Sequence, residues 1–81
     1  MSGPAEKALR LIATFPTTTA AMMMERRCRE AGLPGRTIPV PRSISASCGM
    51  AWCAAPEDRT ALEGLTAARS IPVEGWYYVM I

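Results

Sequence analysis

Histidine is absent from this chain of 81 residues. That removes the common general base, the commonest metal ligand, and any Ser-His or Cys-His pair. No CxxC spacing occurs among the three cysteines, Cys28, Cys48 and Cys53. Three thiols at these separations, without imidazole, make a poor zinc site. The seven carboxylates are Glu6, Glu25, Glu30, Glu57, Asp58, Glu63 and Glu74. All fall in expected helices, turns or the N-terminal lead, and none reads as paired in an apolar pocket, so a hydrolytic mechanism has little to draw on. Long apolar runs are also missing. Nothing approaches the ~20 residues of a membrane span, and the N-terminus lacks the pattern of a signal peptide. The net charge of +2 is too small to argue for nucleic acid. Together these absences lead us to expect a cytoplasmic protein with reduced thiols. They also lead us to expect no metal or bound cofactor, and neither membrane nor nucleic acid as a partner.

What is present is apolar: 49% of residues are hydrophobic. The chain is short enough to be one domain, residues 1–81 with a core from about residue 8, and has no long charged or low-complexity tract. Ala8 to Phe15 alternates as a strand does and stops at Pro16. Thr17, Thr18 and Thr19 supply capping hydroxyls for a helix that runs to about Ala31 and ends at Gly32. Ala20 or Ala21, Met24, Cys28 and Ala31 fall near one face of it. Arg36 to Pro41 reads as a second strand, and Pro39, lacking an N–H, assigns it to a sheet edge. A serine-rich turn leads to a third strand, Cys48 to Ala54, with Met50 and Trp52 on one face and Gly49, Ala51 and Cys53 on the other. Pro56, Glu57 and Asp58 start a second helix whose expected apolar stripe is Ala61, Leu62, Leu65 and Ala68. The last strand is Trp76 to Ile81.

The order βαββαβ is the ferredoxin-like arrangement: a four-stranded antiparallel sheet with two helices on one face. Right-handed crossovers give the strand order 4-1-3-2. The turn before the third strand then lies at the end of the sheet where the first strand exits into its helix. Cys48 is therefore expected near the Thr17–Thr19 helix N-terminus, with Arg42 on the same turn. Free N–H groups, the helix dipole and a guanidinium all favour a thiolate there. Gly49 leaves the backbone beside it uncovered. The competing reading of Cys48 is a small apolar residue that begins a strand. Cys53, about 16 Å further along an extended strand and on the opposite face, reads as core filler. Cys28, on the apolar stripe of the first helix, reads the same way.

The run Phe15-Pro16-Thr17-Thr18-Thr19-Ala20-Ala21-Met22 with Glu25, then Ala31-Gly32, Ile38-Pro39-Val40-Pro41-Arg42 and Ser47-Cys48-Gly49, resembles the DUF3343 family of selenium/sulfur carrier-like domains. The resemblance covers residues 9–80, with Pro-Arg followed by Ser-Cys-Gly its most specific part. It implies a mobile carrier whose Cys48 takes up sulfur or selenium as a persulfide or selenopersulfide and passes it on. The implied donor is a cysteine desulfurase or small sulfurtransferase, and the implied recipient is an acceptor protein. Thr17, Thr18, Thr19, Arg42 and Ser47 would support the anion, and Gly49 would admit the partner. The chain departs from the family pattern at Cys28, Cys53 and Trp52.

Two other readings remain. One is a non-catalytic interaction or regulatory module that docks through an edge strand and the Arg26, Arg27, Arg29, Arg36 and Arg42 cluster. A solvated helix face explains the cluster as simply. The other is base stacking on Trp52, Trp76, Tyr77 and Tyr78, which the small net charge disfavours.

Overall fold

The computed structural model describes residues 7–81. The lead before Lys7, with Glu6, lies outside the described residues. Strand β1 spans Leu9–Thr14, helix α1 Thr18–Ala31, β2 Arg36–Pro39, β3 Met50–Ala54, helix α2 Arg59–Ala68 and β4 Gly75–Met80. The sheet order is β2-β3-β1-β4 with every neighbouring pair antiparallel. This is the expected ferredoxin-like order, read from the other edge.

Helix α1 forms where its caps dictate. The Thr17 side chain accepts a hydrogen bond from the Ala20 N–H at 3.1 Å, and Gly32 closes the helix at φ +73°. The Gly32 N–H bonds to the Arg29 carbonyl and the Leu33 N–H to the Cys28 carbonyl, so the last turn keeps its partners. Ala20, Ala21, Met24 and Cys28 are buried, whereas Ala31 is exposed, contrary to expectation.

The helix-side core joins Leu11, Ala13 and Phe15 to Ala20, Met24, Cys28, Trp52 and Leu62. Gly35, at φ +135°, lies directly against the Trp52 indole, and a Cβ there would collide with Nε1. The opposite face has its own smaller core: Ile12, Ala51 and Cys53 under Ile44, with Ile38, Val40 and Val79 packed around them. Cys28 and Cys53 are therefore core residues, on opposite faces.

Expected boundaries shift by one residue at both ends of β1 and β4, and by more at three other places. β2 ends at Pro39 and β3 begins at Met50. Gly49 takes a left-handed turn at φ +77°, which an extended strand cannot contain. One bond persists beyond both ends, from the Val40 N–H to the Gly49 carbonyl at 3.0 Å. Pro56–Asp58 is a separate 3-10 turn ahead of α2. The buried stripe of α2 is Leu62 and Thr66, with Leu65 half-buried, while Ala61 and Ala68 face solvent. Thr66 tolerates burial because its hydroxyl donates to the Glu63 carbonyl at 3.0 Å.

Burial pushes the Cys28 thiol up to about 11 from an ordinary 9.0. The unfolded chain ionises this thiol first, so the folded state holds the extra proton and stability falls with rising pH. We expect the contribution to be complete below about pH 9 and lost on approaching about pH 11. Urea midpoints measured across that range should decline less steeply in Cys28→Ala than in the parent. Parallel declines would refute the assignment.

Candidate functional site

The thiol of interest sits in the connection between β2 and β3. That connection is anchored at its middle by Ile44, only 8% exposed. The Ile44 N–H bonds back to the Pro41 carbonyl at 2.9 Å, making a tight turn around exposed Arg42 and Ser43. At its far end, Ser47 is gripped by Glu74, which enters β4. The Ser47 N–H donates to Glu74 Oε1 at 3.1 Å and the Ser47 hydroxyl to Oε2 at 2.7 Å. These two bonds hold the Glu74 carboxyl below the ordinary carboxylate range. Cys48 follows directly and is half-buried against the helix-side core. It is the one cysteine of the three that is not buried.

The Cys48 thiol donates to the Met50 carbonyl at 3.3 Å. That contact belongs to the protonated thiol, and ionisation breaks it. Beside it, Gly49 faces open space: a Cβ built there meets nothing within 4 Å. The residue is needed for its left-handed backbone rather than for room.

The register fixes what lies near this end of the sheet. Thr14 pairs with Ala51 on one side and with Gly75 on the other. The exit of β1, the entry to β3 and the entry to β4 therefore share one end. Thr17, Thr18 and Thr19 open α1 at that end, all exposed. Thr17 uses its hydroxyl oxygen as the cap, leaving the first-turn N–H groups of Thr18 and Thr19 without intrahelical partners. No acidic residue lies in the first turn of α1. Arg42 is exposed and makes no ion pair among the described residues. Glu74 was not foreseen as part of this region. The topology contained the signal, because a fourth strand antiparallel to the first must begin at the same end.

The other candidate features disperse. Arg26 and Arg27 both pair with Glu30, and Arg29 pairs with Glu25, all on the exposed side of α1. Three of the five clustered arginines are thus neutralised locally. Trp52 is buried, and Arg59 lies over the rings of Trp76 and Tyr78 at 5.8 and 5.5 Å. Tyr77 points to the other face, so the aromatics form no stacking platform. Among the described residues no group of histidine, cysteine and carboxylate side chains could hold a metal ion, and no helix is long and apolar enough to cross a membrane.

Glu74 places a negative charge one residue from the thiol. We expect Glu74→Ala to speed alkylation of Cys48 by iodoacetamide several-fold at neutral pH, since Ser47 then loses both its bonds and the connection that carries the thiol loosens. Peptide mapping of the modified thiol reads the rate at Cys48 alone; an unchanged or slower rate would discard this view of Glu74.

Comparison with curated proteins and with solved structures returns no match. Residues 10–78 match a family described as "Putative Se/S carrier protein-like". That span takes in both helices, nearly all of the sheet and the whole Cys48 connection, and the chain belongs to this family.

Proposed function

We propose that the protein carries sulfur or selenium on Cys48 as a persulfide or selenopersulfide and hands it to a partner protein. The observation that supports this most is the setting of Cys48: the one cysteine that is not buried, next to a glycine facing open space. Cys28 and Cys53 are buried in the cores on either face of the sheet.

The transfer needs no catalytic apparatus in this chain. The Cys48 thiolate attacks the outer sulfur of a donor persulfide. A new S–S bond forms as the donor's S–S bond breaks, and the donor leaves as a thiolate with that electron pair. Cys48 then holds the outer sulfur, and no net oxidant or reductant is consumed. Donation to the acceptor repeats the exchange in the other direction. A cysteine desulfurase or small sulfurtransferase is the fitting donor. The N–H groups of Thr18 and Thr19, the Thr17 cap and Arg42 would stabilise the terminal anion. Ser47, held by Glu74, would fix the position of the sulfur. A reducing compartment, the cytoplasm, keeps the resting thiol available.

The second reading, a docking module without sulfur chemistry, draws on Arg36 and Arg42, the clustered arginines without an ion pair among the described residues. One experiment separates the two. The protein is incubated with a persulfide donor and examined by intact mass spectrometry. The carrier reading expects a gain of one sulfur atom's mass, lost in Cys48→Ser and kept in Cys28→Ala and Cys53→Ala. No gain in the parent would sink it and leave the docking module.

A further inference from the structure

Strand β4 is an edge of the sheet, bonded only to β1. Its outward-facing groups follow from the pairing. Ala8 and Ile81 exchange both backbone hydrogen bonds, at 3.2 and 3.1 Å. Antiparallel pairs alternate, so Val79 and Tyr77 also bond to β1, opposite Arg10 and Ile12. Trp76, Tyr78 and Met80 occupy the intervening positions, and their N–H and C=O groups point away from the sheet. Among the described residues nothing pairs with this row.

Folded proteins ordinarily protect such an edge with lysine, proline, a bulge or a covering segment. The other edge, β2, has Arg36 at its start and Pro39 at its end. β4 has neither device. Gly75 to Ile81 is free of charge and proline, its register with β1 is unbroken, and Tyr78 and Met80 are 48% and 54% exposed.

We propose that β4 pairs antiparallel with β4 of a second copy of this chain, about a two-fold axis through Tyr78. In that register Tyr78 faces the partner copy's Tyr78 and Trp76 faces the partner copy's Met80. Three pairs of residues then exchange six hydrogen bonds, and two four-stranded sheets become one of eight strands. The observations favour a second copy over a foreign strand because the surface is self-complementary. It carries no charge to repel itself, and the residues two positions either side of Tyr78 are an aromatic and a flexible apolar side chain suited to each other. Arg59, the cation that lies over Tyr78, is already held by Glu63 at 2.9 Å and stacked on Trp76 and Tyr78. Pro39 on β2 removes a donor from the other edge, so the association closes as a dimer rather than growing into a filament. The dimer is independent of sulfur chemistry at Cys48.

Two variants test it. Tyr78→Pro removes an outward N–H while leaving every bond to β1 intact, and Tyr78→Lys puts two like charges on the axis. Light scattering coupled to size exclusion should give a dimer mass for the parent and a monomer mass for both variants. Circular dichroism should be unchanged in Tyr78→Lys, which keeps the fold in view if the proline variant misfolds. Amide exchange in the parent should slow at Trp76, Tyr78 and Met80 as protein concentration rises. A monomeric parent at high concentration, a Tyr78→Lys variant that stays dimeric, or exchange at these amides that ignores concentration would overturn the proposal.

Discussion

The central strand β1 is buried on both faces, and the rest of the molecule answers that constraint. Leu11 and Ala13 point toward the helices, Ile12 and Thr14 point away, and all four are shielded from solvent. Two helices can cover only one side. Among the described residues there is no further helix for the other, and the connection between β2 and β3 folds over it and inserts Ile44. Burying such a side chain is worth about 1.5–3 kcal/mol, which offsets part of the entropy lost in ordering the turn.

That apolar anchor is what gives Cys48 a fixed place. The connection is pinned by Ile44 in its middle, by the Val40–Gly49 hydrogen bond at its base, and by Glu74 on Ser47 at its exit. A thiol on a loop held at three points keeps its exposure and its neighbours. Site geometry thus derives from core packing on the face of the sheet away from the helices, although the thiol itself packs against the helix side.

The helices and the strand order were legible because their determinants are local. Thr17 and Gly32 mark α1 through specific hydrogen bonds and one left-handed residue, and proline placement marks the β2 edge. Legibility stops where a residue's role depends on a distant partner. Thr66 displaces Ala61 and Ala68 from the buried stripe of α2 because a hydroxyl bonded to its own helix can enter the core. The start of β3 moved by two residues because Gly49 chose a turn over an extended backbone. Glu74 and Ile44 were invisible for the same reason. Neither stands out in its own segment, and each acts on a residue that only the folded register brings close.

The charges at the Cys48 end of the sheet pull in opposite directions, and this bears on the proposed transfer. The opening turn of α1 offers roughly half a positive charge at its end of the sheet, while Glu74 sets a full negative charge beside Ser47. Both are exposed, so water and salt weaken each. What remains at close range is the hydrogen bond from the thiol to the Met50 carbonyl at 3.3 Å. In the proposed transfer the thiol must leave that carbonyl to react, and the open space beside Gly49 is where a partner's sulfur would draw it out.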